Sequence, residues 1–431
     1  MKPSVAATGQ GDAFIGFPPL PDQDLLVGAL LADPPERRWR VVRDLARIDD
    51  PEERLALKRK VRGCLDEAHD FRVEMRLNLA LEILSHPCPK TDYVLVRGQG
   101  VWKRPGSGLR GCLAQEPAAP AASASLFFPV VDFHVHPQLP DLVLLADLRE
   151  GGVSRGVISA TDTDPEDVDR PEINGRLRDI YENSPQAKQW SFQALTEALK
   201  TSLHSITQVS NQDVADWARD YPEVLIGLGS VNLSKSRAYV EQTLEEIYGL
   251  KLRGVRLLPH AQFFNPADND NLELLGQFCQ ETGAILMSHC GCGFGPFELP
   301  DFCQDAHPLH WEPFLKKFPD VDLVLAHFGA YSPQIPGLWL HEVLQLGKRY
   351  RNVYGDLAAV PWLLQDDRMV EEIRRTMGFD RVLFASNYPL PLSWGLNLAY
   401  LVSLVKTSTF LTEKEKWKVL GKNAQRLLKL S

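Results

Sequence analysis

Residues 129–137 read Pro129-Val130-Val131-Asp132-Phe133-His134-Val135-His136-Pro137, an apolar, β-branched run that passes into two histidines one residue apart. Side chains alternate along an extended strand, so His134 and His136 face one side, ~6.6 Å apart along the chain. Two imidazoles at the end of such a strand make a half-site for a divalent metal. Seven further short apolar runs follow: RGVISA from 155, EVLIGLGSV from 223, RGVRLLP from 253, AILMSH from 284, VDLVLAH from 321, NVYGD from 352 and RVLFAS from 381. Helical stretches such as KSRAYVEQTLEEIYGL and NLELLGQFCQETG separate them, the alternation expected of βαβ units and a parallel sheet. Eight strands are the number that closes an α/β barrel, so the expected fold is a (β/α)₈ TIM barrel. Residues 161–222 are too long for one crossover and predict extra helices at the active-site end.

The flanking sequence has a different texture. Residues 24–88 carry apolar positions at three- and four-residue spacing with no strand between them, which predicts a small all-α domain. Its pieces DPPERRWRVVRDLARI and DFRVEMRLNLALEIL loosely resemble helices of HEAT-type repeats. Residues 1–23 read as a flexible N-terminus, 89–127 as a linker rich in Gly, Pro, Ala and Ser, and 128–431 as the barrel. The net charge of −9 and the interleaving of the N-terminal arginines with apolar residues argue against a nucleic-acid partner. No run reaches the roughly 18 apolar residues of a membrane span, and no signal-peptide core is present, so a cytoplasmic location is expected. Seven scattered cysteines fit free thiols better than a disulfide framework.

The chemistry gathers at strand ends. His289 closes the fifth run and His327 the sixth, each at the C-terminal end, where catalytic residues of such barrels collect. Four histidines in those places point to a metal site. Together, DFHVHP, GVRLLPHAQ, AILMSHCG, FPDVDLVLAHFGA, NVYGDLAA and RVLFASNYPL resemble the successive strand motifs of amidohydrolase-related proteins, in the branch of the aminocarboxymuconate-semialdehyde decarboxylase type. The likeness runs from about residue 128 to 429 and leaves out the N-terminal helices.

That resemblance implies a barrel of the metal-dependent hydrolase type with one divalent metal, Zn²⁺ first and Mn²⁺ or Fe²⁺ as alternatives, held by His134, His136 and His289. It implies that His327 polarises water or substrate. Two departures stand out. Asn387 occupies the place of the family's strand-eight aspartate; it can offer a carbonyl oxygen but cannot act as a base. Arg256 lies where binuclear relatives carry a carbamylated lysine, so a lysine-bridged pair of metals is not expected, and Arg256 becomes either a substrate-carboxylate ligand or a structural cation. Asp356 is expected either to orient a ligand histidine or to replace the missing base, with Asp162 and Asp164 as further candidates. His260 follows strand four and is a candidate for substrate binding; His307 and His310 read as loop residues, and Cys290 and Cys292 as buried thiols.

The leading functional expectation is a metal-dependent hydrolase of a C–N or C–O bond in a small organic or peptide substrate. A nonoxidative decarboxylase, an iron-dependent oxygenase of a biosynthetic pathway and a non-catalytic scaffold are the alternatives. Barrels of this kind are often homodimers, and the N-terminal helices offer a surface for a protein partner.

Overall fold

The computed structural model describes residues 51–66, 94–95, 102–103, 129–138, 141–206, 209–391 and 397–430. The chain divides into two compact units, Met1–Phe127 and Phe128–Ser431. Within the first, the described parts are a helix, Pro51–Asp66, and a two-residue antiparallel ladder pairing Val94 with Lys103 and Leu95 with Trp102. The helix falls in the stretch read as helical and the ladder in the stretch read as linker. The remainder of those two expectations, and the segment 1–23, lie outside the described residues.

The second unit is built on eight parallel strands: β1 Val130–Val135, β2 Val153–Ser159, β3 Leu225–Ser230, β4 Gly254–Leu257, β5 Ile285–Ser288, β6 Leu323–Leu325, β7 Val353–Asp356 and β8 Val382–Leu383. Each pairs in parallel with its neighbour in sequence, in the order β8-β7-β6-β5-β4-β3-β2-β1. The last seam is stitched without a regular ladder. Phe133 N donates to Phe384 O, Asn387 N to His134 O and His136 N to Tyr388 O, at 2.9, 2.9 and 2.7 Å. Asp132 adds a side-chain stitch, its Oδ1 accepting the backbone N–H groups of His134 and Ser386. The result is the eight-stranded parallel barrel expected from the sequence.

A continuous apolar cluster fills the barrel, drawing Val131 and Phe133 from β1, Val157 from β2, Leu228 from β3, Met287 from β5, Val324 from β6, Tyr354 from β7 and Leu383 from β8. Ala424, Leu427 and Leu428 of the C-terminal helix join the same cluster. That helix lies in a region opened by the capping box between Thr412 and Glu415. The pairing of β1 with β2 shifts register twice, between Val130 and Val131 and between Asp132 and Val135, and the second shift accommodates an extra residue around His134. Bulges of this kind re-aim side chains next to active sites.

Residues 161–222 hold three helices, Pro171–Asn183, Phe192–Ser205 and Asn211–Asp220, besides short 3₁₀ turns. Ile173, Leu177, Leu195, Leu199 and Leu203 of this insertion pack against Leu258, Phe263, Phe297 and Phe302, which follow β4 and β5. The insertion is thereby fastened to the loops at the C-terminal ends of those strands. Among the described residues no helix is long and apolar enough to cross a membrane.

Candidate metal centre

Five histidines meet at the C-terminal mouth of the barrel. His134 belongs to β1 and His136 follows it; His260 follows β4, His289 follows β5 and His327 follows β6. Their rings form an unbroken series, with centroid separations of 4.9 Å between His136 and His134, 5.1 Å between His134 and His327, 4.8 Å between His327 and His289, and 4.5 Å between His289 and His260. β6 is shorter than its apolar run suggested: it stops at Leu325, and His327 and Phe328 adopt left-handed backbone angles, φ 58° and 51°. Asn387 does the same at φ 63°. Such conformations are costly for residues with a side chain, and they concentrate here, where the chain must leave a strand and turn a functional group into the mouth.

The partners of each ring fix which nitrogen carries the proton, because carbonyl and carboxylate oxygens here accept. His327 Nδ1 donates to Ala358 O at 2.8 Å, and His289 Nε2 donates to Cys292 O at 3.0 Å. The remaining nitrogens, His327 Nε2 and His289 Nδ1, face each other at 3.2 Å. Burial holds both imidazoles neutral, His327 near 4 and His289 well below the usual histidine range. Two lone pairs therefore converge with no proton between them. His134 repeats the pattern: its Nδ1 donates to Asp356 Oδ2 at 3.1 Å, and its Nε2 is buried without a hydrogen-bond partner.

These orphaned acceptors fit a cation. Two nitrogens bound ~2.0–2.1 Å from one tetrahedral ion lie roughly 3.3 Å apart, close to the spacing of His327 Nε2 and His289 Nδ1. Ligand atoms of His134, His327 and Asp356 also lie within 4.8 Å of one another, the one such grouping of histidine, cysteine and carboxylate atoms among the described residues. Of the expected ligands, His134 thus stands at the centre of the cluster, and His289 reaches it through His327. His136 is held differently, its Nε2 lying 2.8 Å from Asn387 Oδ1. Asn387 is consequently in the site, with its carbonyl directed at a candidate ligand.

Asp356 is fully engaged. Oδ2 accepts the Nδ1–H of His134, and Oδ1 accepts the backbone N–H groups of His327 and Ala358 at 2.7 and 3.1 Å. It sets the tautomer of one histidine and the position of another, as carboxylates behind metal-bound histidines do. Asp162 and Asp164 are turned to other work: Asp162 accepts from Asn232 N and Tyr239 Oη, and Asp164 from Glu166 N and Lys235 Nζ. His307 packs against His310 and Trp339 rather than against the five-ring series.

Arg256, in the middle of β4, is buried, yet its Nε has no partner and, among the described residues, its guanidinium donates only a long hydrogen bond to Thr161 Oγ1 at 3.5 Å. Burial lowers its pKa to about 10, which still leaves it charged, and its field helps keep all five histidines neutral. Sequence reading passed over Asp132. Burial drives its carboxyl up to about 7 against the N–H bonds from Ser386 and His134, and its Oδ2 has no partner. Its place two residues before His134 was the available signal.

The amidohydrolase family model matches residues 131–430. This chain belongs to the amidohydrolase-2 family. A curated relative, 2-amino-3-carboxymuconate-6-semialdehyde decarboxylase of Dictyostelium discoideum, is 23% identical over 260 residues, 52% of this chain and 67% of that protein. Among solved structures, an uncharacterised TIM-barrel protein of Bordetella bronchiseptica superposes with a TM-score of 0.51 at 19% identity, covering 70% of this chain and 98% of the other. The match shares the fold. The family's metal dependence agrees with the convergent imidazoles described above, in a chain whose family comprises enzymes.

Proposed function

We propose that this chain is a metal-dependent, nonoxidative decarboxylase of a small carboxylic acid. The observation that carries the reading is Arg256, a buried guanidinium beside the histidine cluster that makes no ion pair among the described residues. The carboxylate whose field reaches it, Asp356, spends its oxygens on His134, His327 and Ala358 and makes no ion pair with it, so a substrate carboxylate placed on the guanidinium fork would offset much of the cost of burying the charge. The curated decarboxylase relative supports the same reaction class.

His134, His136, His289 and His327 would hold a divalent ion, which would supply Lewis-acid polarisation of substrate oxygens. Arg256 binds and orients the carboxylate. Asp356 keeps Nε2 of His134 free by holding the proton on Nδ1 through a hydrogen bond, and His327, anchored at Nδ1 by Ala358, presents Nε2 toward the cluster. A second reading is hydrolysis of a C–N or C–O bond, in which Nε2 of His327 stays off the metal and, being neutral, takes a proton from water where Asn387 cannot.

The test uses full-length protein loaded with Mn²⁺ or Zn²⁺ and two panels of compounds, unsaturated and aromatic carboxylic acids followed by CO₂ release, and neutral amides and esters followed by acid release. Turnover confined to the acids is expected, with Arg256→Met raising KM by about 10- to 100-fold, the loss of a charged hydrogen bond. Turnover confined to neutral amides, or CO₂ release indifferent to Arg256, would overturn the decarboxylase reading.

A further inference from the structure

Outside the histidine cluster, the loop after β5 brings two thiols together. Cys303 Sγ donates to Cys292 Sγ at 3.1 Å, across eleven residues of sequence, and both cysteines are buried. The Cys303 thiol has one proton, yet Phe297 O and Leu299 O also lie 3.0 and 3.1 Å from its sulfur, so three acceptors crowd a single donor. The segment between the two cysteines reaches the surface, Phe294 being exposed.

Cys292 is tied to the metal centre by its own backbone. Its carbonyl accepts the Nε2 proton of His289, and its N–H donates to Tyr331 O at 2.8 Å. The loop has little slack around these bonds. A Cβ added at Gly293 would stand 2.9 Å from His260 Nε2, and one at Gly291 would stand 2.6 Å from Tyr331 O. Displacement of Cys292 is therefore felt at His289.

We propose that Cys292 and Cys303 are an oxidisable dithiol whose disulfide weakens metal binding through His289. With hydrogen peroxide as oxidant, one sulfur attacks a peroxide oxygen to give a sulfenic acid and water. The second sulfur then displaces the hydroxyl from the first as another water. Each sulfur is oxidised by one electron, the peroxide is reduced to two waters, and the two thiol protons leave in those waters. Closing the sulfurs from 3.1 Å to a bond of ~2.05 Å pulls Cys292 toward Cys303 and away from the position in which its carbonyl orients His289. The inference concerns metal retention and stands for either reaction.

The experiment treats full-length protein with hydrogen peroxide, maps the bridged peptides, and measures Mn²⁺ affinity by chelator competition before oxidation, after oxidation and after dithiothreitol. A bond between Cys292 and Cys303, a fall in affinity of about 10-fold or more, and recovery on reduction are expected. Cys303→Ala and Cys303→Ser should keep the affinity of the reduced protein and lose the response to peroxide. The proposal is overturned if Cys64 oxidises while the buried pair stays reduced, if the bridge forms with no change in affinity, or if both variants remain peroxide-sensitive.

Discussion

Asp356 binds three groups with two oxygens, and one of those bonds decides whether His134 can serve as a ligand. Replacing it by asparagine keeps the shape and lets an amide N–H face the histidine, which favours the tautomer with its proton on Nε2, the wrong nitrogen for a metal. Asp356→Asn is expected to cost about 10- to 100-fold in Zn²⁺ or Mn²⁺ affinity, measured by chelator competition, and an unchanged affinity would remove Asp356 from this role. Asn387 works in the other direction. Its carbonyl lies 2.8 Å from His136 Nε2. Asn387→Asp would place a charge there, so tighter metal binding is expected in the same titration; no change would put residue 387 outside the ligand shell.

At the scale of elements, the positions of His134, His289 and His327 were legible because each ends an apolar run whose length and alternation mark a strand. The separate ligand roles rested on the resemblance alone. What the sequence could not display depends on contacts between distant segments. Asp356 meets His134 across 222 residues and Asn387 meets His136 across 251. The left-handed turn at His327 ended β6 early, because propensity reads Ala326 and His327 as a continuation of the strand while the turn must aim the imidazole. Strict alternation also failed at the bulge in β1. The seam between β1 and β8 was invisible for the same reason, since its bonds join residues 132–136 to 384–388 through backbone and one aspartate. Gly421 abuts that seam, where a Cβ would run into the carbonyl oxygen of Pro129. Gly421→Ala should therefore destabilise the barrel by about 1–3 kcal/mol in urea unfolding, and a neutral result would mean the C-terminal segment is not pressed against β1.

For the whole barrel unit, the cluster ties stability to pH. Burial lowers the pKa of five histidines, His327 to about 4, His260 to about 3, and His134, His136 and His289 well below their usual value. Below about pH 6.5 the unfolded chain binds protons that these native imidazoles refuse, so this contribution is present above that pH and is lost as pH falls toward 4. Asp132, pushed up to about 7, and Asp356, also raised, act oppositely, since the native state takes their protons first. Five groups against two give a net loss on acidification. The urea midpoint of chelator-treated protein should fall between pH 7 and about pH 5, and a flat or rising midpoint would mean the histidines are not buried as a neutral cluster.

The convergence of neutral imidazoles carries the account, and metal stoichiometry tests it most directly. Elemental analysis of protein purified without added metal, beside the double variant His134→Ala/His136→Ala, should find about one zinc, manganese or iron per chain in the parent and almost none in the variant. A parent that holds no metal and takes up none on reconstitution, or a double variant that retains its full complement, would contradict the assignment of these histidines.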